Sequence, residues 1–396
     1  MAEVKPEIET FAKIKVVGVG GGGNSAINRM VDSGVKGVSF VAVNTDIQAL
    51  HHNKAGEKIH IGKTVTRGLG AGMNPDLGKA AAEESQNELK EALKGCDMVF
   101  VTCGLGGGTG TGASPIVAQI AKEQGALTVA VITKPFMFEG GQRKNVADRG
   151  FADLADKVDA IITISNDKLL QVIDKKTSLL DAFKIADDVL RQGVQGIAEI
   201  ITVPGIINAD FADVKTIMSN AGSALMGIGT ATGENKAVEA AKQAINSNLL
   251  DMSIDGARGI VFTVTGGADL SMSEVNEAAK IITAAADEDA KIIFGAVIDE
   301  KLKDQIKITV VATGFDSHSQ NKRSESVKPV YTPNSFIAEK EVEKEDFVPE
   351  EKSKAKFSSV FKNLPIKSAI DPKKAEKPNS EDDDLSVPAF IRKKMG

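Results

Sequence analysis

The stretch Cys103–Gly112, CGLGGGTGTG, is the most distinctive in the chain, and it indicates a site for an anion. Five glycines fall between positions 106 and 112, just after an apolar run that predicts a strand, Met98–Thr102. Glycine costs backbone entropy and supplies no side chain for packing, so packing does not explain this cluster. At a strand-to-helix junction, successive N–H groups can curl around an anion, and the helix N-terminus adds partial positive charge. We therefore predict a phosphate loop, to which Thr109 and Thr111 add hydroxyls; a flexible surface loop is the alternative.

Two further glycine-rich stretches precede predicted helices. The first, Gly18–Gly23, follows the predicted strand Lys13–Val19 and contains a G-x-G-x-x-G match, after which a helix is predicted from Asn24. That match alone also suits a dinucleotide-binding fold, in which Asp46 would be a somewhat late ribose ligand. The second stretch, RGLGAGMNP at 67–75, leads into a helix predicted to run to about residue 94.

Continuous apolar runs alternate with helical patterns over the first half of the chain. The runs at 98–102, 127–133 and 160–165 suit strands that are buried on both faces of a parallel sheet. The alternation predicts a doubly wound, Rossmann-like α/β domain over residues 13–175, after a flexible N-terminus at 1–12.

One long helical pattern, Ser178–Thr202, has a wide apolar face and predicts a core helix within residues 176–203. Beyond it, residues 204–315 predict a smaller α+β domain with three or four strands and helices on one face. From residue 316 the periodicity fails, which predicts a disordered linker at 316–381. The final segment, 382–396, has an apolar patch between acidic and basic ends and is typical of a docking peptide.

Composition argues against several classes of function. The net charge of −6, with both signs well mixed, gives no reason to expect a nucleic-acid partner. No apolar run is long enough to span a bilayer, so we expect no direct membrane insertion. Cys96 and Cys103 are predicted to be buried free thiols in a reducing, cytoplasmic compartment.

Several motifs occur together in an order that resembles the tubulin family and, far more closely, the FtsZ family of bacterial cell-division GTPases. They are GVGGGGNSAINRM (18–30), AVNTD (42–46), TRGLGAGMNP (66–75), GGGTGTG (106–112), PFMFEG (135–140), NADFADVKTIM (208–218) and the terminal VPAFIRKK. The resemblance covers residues 13–315 and the tail. Small departures occur at Ser25, Ser165 and Cys103, none of which removes a group with an assigned role.

The resemblance implies a tubulin/FtsZ-like fold that binds GTP or GDP, with Mg²⁺ bridging the phosphates and no protein side chain assigned as its ligand. Glu139 and Arg143, read as neighbours on one helix face, would lie at the ribose and phosphate end. Phe183 would stack on the base, and Asp187 would accept the two N–H donors of guanine. The implied nucleotide-binding residues are Gly21, Gly22, Gly23, Asn24, Ser25, Asn44, Gly70, Ala71, Gly72, Gly106, Gly107, Gly108, Thr109, Gly110, Glu139, Arg143, Asn166, Phe183 and Asp187.

For hydrolysis, the resemblance implies that Asn208, Asp210 and Asp213 act on the nucleotide of the neighbouring subunit in a head-to-tail filament. Without it, the two acids at a helix start would be read as stabilising the helix dipole. The alternatives are a non-hydrolysing tubulin-like scaffold and an NAD-dependent oxidoreductase.

The resemblance also implies partners and a location. The chain is expected to polymerise with itself into the division ring, at midcell on the inner face of the membrane. A membrane-anchoring adaptor such as FtsA, or an equivalent, would bind the tail through Val387, Pro388, Phe390, Ile391, Arg392 and Lys393.

Overall fold

A ten-stranded sheet forms the centre of the computed structural model, which describes residues 12–172, 177–203, 205, 207, 209–247, 253–299 and 302–315. In chain order, its strands are β1 Ile14–Val19, β2 Val38–Asn44, β3 Glu57–His60, β4 Met98–Gly104, β5 Leu127–Lys134, β6 Ala160–Ser165, β7 Gly222–Thr232, β8 Gly259–Gly266, β9 Lys291–Ile298 and β10 Gln305–Thr313. They lie side by side in the order β3-β2-β1-β4-β5-β6-β7-β10-β8-β9.

The first six strands are parallel and have the order 3-2-1-4-5-6 of a doubly wound fold. Strand β4 lies near the middle of this half, and six of its seven residues are buried. A strand covered on both faces needs apolar side chains at successive positions, which is why the continuous run from Met98 predicted it. The predicted α/β fold is confirmed.

Helices cover both faces of the sheet. They are α1 Gly20–Asp32, α2 Ile47–His51, α3 Pro75–Glu84, α4 Gln86–Leu93, α5 Thr109–Glu123, α6 Gly141–Ala155, α7 Asn166–Val172, α8 Leu179–Thr202, α9 Phe211–Met218, α10 Lys236–Ile245 and α11 Met272–Ala284. None of the helices within the described residues is long and apolar enough to cross a membrane.

The predicted long helix α8 is confirmed. It packs against both halves of the sheet, the first formed by β1 to β6 and the second by β7 to β10. Its residues Leu190, Val194 and Ile197 are almost fully buried. They belong to a core cluster that includes Val129 of β5 and Val311 of β10. Because α8 shares one core with strands from both halves, its burial ties the two halves together.

The second half contains four strands, β7 to β10, which agrees with the three or four predicted there, although no apolar run predicts β7. Strand β7 continues the parallel sheet by pairing residues 222–224 with residues 160–162 of β6. Strand β10 is antiparallel to both β7 and β8, while β9 is parallel to β8. Helices α10 and α11 pack over these strands around a separate core cluster.

Two local predictions are corrected, and one strand was missed. Helix α1 begins at Gly20 and not at Asn24, so glycines 20–23 form its first turn. The helix predicted to follow Pro75 as far as residue 94 is two helices, because Ser85 leaves the helical conformation between α3 and α4. Strand β3, only four residues long, was not predicted. Cys96 and Cys103 are buried free thiols, as predicted.

Candidate nucleotide-binding site

A cavity of about 500 Å³ lies at the edge of the sheet where the parallel strands end. The loops that follow β1, β2, β4, β5 and β6 all contribute to its wall, as expected at the carboxyl ends of a doubly wound sheet. It is lined by Gly21, Gly22, Asn44, Asp46, Ala49, Leu69, Gly70, Ala71, Gly72, Gly104, Leu105, Gly107, Gly108, Thr109, Gly110, Thr133, Pro135, Glu139, Arg143, Asn166, Phe183, Ala186 and Asp187.

Two helix N-termini meet at this cavity. Helix α1 begins after Val19 and α5 begins after Gly108, and the first turn of neither helix contains an acidic residue. The N–H groups of a first helical turn have no partner within their own helix, and they carry partial positive charge. Both helix ends therefore present N–H donors to the cavity, and no acidic side chain in the first turns offsets their positive charge. This arrangement suits an anion.

Packing explains more of the phosphate-loop glycines than the sequence argument allowed. A Cβ at Gly108 would lie 2.5 Å from the carbonyl oxygen of Gly72, and a Cβ at Gly110 would lie 2.9 Å from that of Gly104. A Cβ at Gly112 would overlap the carbonyl oxygen of Pro75. A Cβ at Gly107, in contrast, would meet nothing within 4 Å. Close packing therefore requires three of the five glycines, which corrects the prediction that packing does not explain the cluster.

Hydrogen bonds hold the phosphate loop in shape. The N–H of Gly106 donates to Thr111 Oγ1 at 2.9 Å, so the Thr111 hydroxyl supports the loop and does not line the cavity. The N–H of Gly108 donates to the carbonyl oxygen of Gly72 at 2.9 Å, which seats the 70–72 loop directly on the phosphate loop.

Glu139 and Arg143 form a 2.5 Å ion pair, but they do not lie on one helix. Glu139 closes a short 3₁₀ helix, Met137–Glu139, and Arg143 lies in the first turn of α6. The other carboxylate oxygen of Glu139 accepts the N–H of Phe136 at 2.9 Å. Both side chains line the cavity, and this pairing offsets much of the charge of Arg143.

The opposite wall is formed by α8 and by the start of α7. The ring of Phe183 is 40% exposed and meets Phe136 edge-on, with centroids 5.4 Å apart. One turn further along α8, burial raises the pKa of the Asp187 carboxyl to about 6, which the charge of Arg29 partly opposes. Asn166 is buried, and its Oδ1 has no hydrogen-bond partner among the described residues. The ring face, the carboxylate and the orphan carbonyl oxygen together can stack on a base and accept its donors.

Most of the predicted nucleotide-binding residues line this cavity, but four do not. Gly23, Asn24, Ser25 and Gly106 lie outside its wall. Asn24 is buried, and neither polar atom of its side chain has a hydrogen-bond partner within the described part of the chain. Sequence reasoning assigned no role to Thr133 and Pro135, although their position at the end of a predicted parallel strand was a usable signal.

Asp210 and Asp213 lie away from the cavity. Helix α8 leads from the cavity to Thr202. The side chain of Thr202 lies against Gly37, just before the amino end of β2, and a Cβ added to Gly37 would overlap it. Both acids are exposed, and Asp210 Oδ1 caps α9 by accepting the N–H of Asp213 at 2.7 Å. Helix α9 then leads into β7, whose first residue pairs with the first residue of β6. The acids are thus associated with the edge of the sheet opposite the cavity. Asn208 and the tail residues 316–396 lie outside the described residues.

No group of three or more His, Cys, Asp or Glu side chains within the described ranges could hold a metal ion. Mg²⁺, however, binds to proteins through one or two carboxylates together with substrate phosphates and water. Asp46 and Thr109 line the cavity and supply a carboxylate and a hydroxyl, so the wall fits an ion carried by phosphate oxygens.

A doubly wound sheet with a glycine-lined cavity at its carboxyl edge defines the class of nucleotide-binding α/β proteins. Comparison with known families is more specific. Residues 13–174 match the GTPase domain of the Tubulin/FtsZ family, and residues 222–316 match the C-terminal domain of the FtsZ family.

Solved structures agree with these matches. An empty FtsZ dimer from M. jannaschii is 49% identical, with a TM-score of 0.75 over 78% of this chain and 90% of that chain. A mutant FtsZ from the same organism is also 49% identical, with a TM-score of 0.74 over 77% and 91% of the two chains. A GTPγS-bound protofilament of CetZ2 from Haloferax volcanii, at 21% identity, shares the fold, with a TM-score of 0.66 over 79% and 97%.

The chain belongs to the FtsZ family. It is a tubulin-like GTPase that binds GTP and GDP and associates with itself into polymers. A role in the cell-division ring follows from the family.

Proposed function

We propose that GTP hydrolysis by this protein depends on assembly, because the hydrolytic site is completed between adjacent subunits. The observation that carries this proposal is the separation of the two halves of the machinery. The cavity lies at the carboxyl edge of the sheet, whereas Asp210 and Asp213 follow a 24-residue helix that leads to the opposite edge. In a head-to-tail contact, the acids of one subunit face the cavity of the next, and such a contact extends into a filament.

In this site, the two halves have different roles. The glycine loops and helix N-termini hold the phosphates, while Phe183, Asn166 and Asp187 hold the guanine. Asp210 and Asp213, with Asn208, position the attacking water at the γ-phosphate of the neighbour. Within the described part of the chain, capping of α9 occupies only Oδ1 of Asp210, so in this proposal Oδ2 binds the water molecule.

The charge of the cavity supports a Mg²⁺ cofactor. Within the described residues, its wall contains the carboxyl groups of Asp46, Glu139 and Asp187 but only one guanidinium, which is paired with Glu139. The wall therefore lacks the positive charge that a triphosphate needs. Mg²⁺ held by phosphate oxygens beside Asp46 and Thr109 would supply positive charge that offsets the charge of the phosphates.

The experiment is GTP turnover measured against protein concentration. We expect specific activity near zero in dilute solution and a rise above a threshold concentration. Asp210→Ala should bind GTP with the affinity of the wild type yet hydrolyse it poorly, even in sedimentable polymer. A specific activity that does not change on dilution would exclude assembly dependence.

We further propose that residues 13–175 and 204–315 act as two domains joined by the core helix, and that residues 382–396 attach the filament to a membrane-bound adaptor such as FtsA. That segment combines apolar Phe390 and Ile391 with basic Arg392 and Lys393, whereas the linker before it is polar. A chain truncated after Glu381 should polymerise and hydrolyse GTP normally but should not reach the cytoplasmic face of the membrane at midcell. Normal recruitment of the truncated chain would assign the attachment to another surface.

A further inference from the structure

Thr45 is fully buried between two residues that line the cavity, Asn44 and Asp46, but it does not line the cavity itself. Its hydroxyl and its carbonyl nevertheless reach two different loops of the site. A buried polar residue with this many partners fixes the relative positions of the groups that it joins.

The hydroxyl of Thr45 meets the phosphate loop. Its Oγ1 lies 2.6 Å from Oγ1 of Thr109, the first residue of α5, and both side chains are buried. In a hydroxyl pair, one oxygen donates and the other accepts. When the Thr45 hydroxyl donates, the proton of the Thr109 hydroxyl is left for an acceptor in the cavity, and a phosphate oxygen is such an acceptor.

The carbonyl oxygen of Thr45 meets the segment that carries the 70–72 loop. It accepts from His60 Nε2 at 3.3 Å and from the Gly70 N–H at 3.4 Å, whereas the single proton of the nearby Thr66 hydroxyl goes to Gly62 O at 2.9 Å. Both bonds are longer than a typical hydrogen bond, and the two lone pairs of the carbonyl oxygen accommodate them. Each bond is therefore weak, and together they locate the segment on Thr45.

These contacts place Thr45 between the phosphate loop and the 70–72 loop, two of the glycine loops that the proposed site assigns to the phosphates. The 70–72 loop rests on Gly108 through the bond from Gly108 N–H to Gly72 O, and on Thr45 through the bond from Gly70 N–H. Thr109 borders the same space. Displacing Thr45 would change the position of both loops, while the base-binding residues on α8 would stay where they are.

We propose that Thr45 is a positioning residue for the γ-phosphate, and that its hydroxyl sets the preference of the site for GTP over GDP. The inference rests on the proposed assignment of Gly70, Ala71, Gly72 and Thr109 to the phosphate end. Thr45 acts through Thr109 and the 70–72 loop, without touching the nucleotide.

The test compares three substitutions, each assayed below the assembly threshold for the dissociation constants of GTP and GDP with Mg²⁺. Thr45→Val removes the hydroxyl and nearly conserves the side-chain volume, whereas Thr45→Ala removes the hydroxyl and reduces that volume. An effect that both variants share is therefore due to the hydroxyl. We expect each to lower the ratio of GTP to GDP affinity about tenfold, the size of one well-placed hydrogen bond. Thr45→Ser keeps the hydroxyl and should restore the wild-type ratio.

Thr128→Val is the matched control, since it removes another buried threonine hydroxyl, bonded to Ala126 O, at the amino end of β5. It should lower the melting temperature without changing the affinity ratio. In addition, Thr45→Val combined with Thr109→Val should cost no more GTP affinity than Thr109→Val alone, because the two hydroxyls act as one pair.

Three results would overturn the inference. In the first, the wild type binds both nucleotides and all Thr45 variants keep its affinity ratio. In the second, Thr45→Val and Thr45→Ala lose GTP and GDP equally, which is the pattern of a purely structural residue. In the third, the wild type binds neither nucleotide, which would also remove the site assignment itself; only the first two results leave the proposed function intact.

Discussion

In the proposed site, Asp187 must be ionised to accept the two donors of guanine, yet its surroundings favour the protonated form. Burial raises its pKa to about 6, and the charge of Arg29 opposes this rise. A raised pKa means that the acceptor is lost as the pH falls through that value. We therefore expect GTP affinity to decrease steadily from about pH 7 to about pH 5, as measured by isothermal titration calorimetry, whereas the weaker binding of ATP should show no such dependence.

Two variants separate this carboxyl from other groups that titrate in the same range. Asp187→Asn should bind GTP about ten- to a hundredfold more weakly at neutral pH and with no dependence on pH, because a charge-assisted pair of bonds is lost. Arg29→Gln should move the midpoint of the wild-type dependence to higher pH. The matched control is Arg149→Gln, at an exposed arginine of α6 outside the cavity wall. A pH dependence that survives in Asp187→Asn would assign it to a different group.

The residues proposed for the phosphate end of the site could be predicted from the sequence more readily than those proposed for the base end. Glycines at a strand-to-helix junction indicate, without any further information, that backbone N–H donors are exposed there. Phe183 and Asp187, in contrast, occupy ordinary positions on an amphipathic helix, and without the family resemblance they would read as core and surface. Their proposed role depends on where α8 passes the end of β6, and that position is set by tertiary packing. Thr45 gave no signal either, because the partners of its hydroxyl and its carbonyl are 15 to 64 residues away in the chain.

At the scale of the elements, buried parallel strands were predictable and glycine-rich ones were not. Strand β7, GSALMGIGTAT, reads as a loop because glycine weakens a strand. The structure gives the reason for its glycines. A Cβ at Gly227 would overlap the carbonyl oxygen of Ala244, and a Cβ at Gly229 would overlap that of Ala240. Helix α10 can therefore pack this closely against β7 only because both positions are glycine. That requirement comes from the neighbouring helix, and no local pattern contains it.

The same close packing predicts the effect of a substitution between α3 and α5. In an isolated helix, Gly112→Ala would be favourable by about 1 kcal/mol. Here, the added Cβ would overlap the carbonyl oxygen of Pro75 and lie 2.7 Å from the Lys79 nitrogen. We expect the free energy of unfolding to fall by about 1–3 kcal/mol, the usual cost of overpacking, as measured by urea denaturation.

Gly56→Ala is the control for this change. Gly56 precedes β3, and a Cβ there would meet nothing within 4 Å. Its variant should unfold at the urea concentration of the wild type. If Gly112→Ala were as stable as Gly56→Ala, α3 and α5 could separate at no cost, and the packing account of this glycine would be wrong.

At the scale of the whole molecule, α8 sets the distance between the two halves of the proposed hydrolytic site. Its 24 residues give a length of about 36 Å, which is more than any side chain can span. The sequence predicted both the helix and the acids beyond it, since apolar periodicity over so many residues is a strong signal. It could not locate the helix ends on opposite edges of the sheet, because that follows from how α8 packs against the strands.

This separation leads to a complementation experiment with two inactive variants. Asp210→Ala retains an intact cavity but lacks one of the two acids, whereas Asp187→Ala retains both acids but binds GTP weakly. Each alone should hydrolyse GTP poorly. In an equal mixture that copolymerises at random, about a quarter of the contacts join an intact cavity to an intact acid pair, because each head-to-tail contact takes one half from each subunit. Hydrolysis should therefore return to roughly that fraction of the wild-type rate. A mixture no more active than its components, although co-sedimentation shows both variants in the same polymer, would mean that one subunit supplies both halves of its own site.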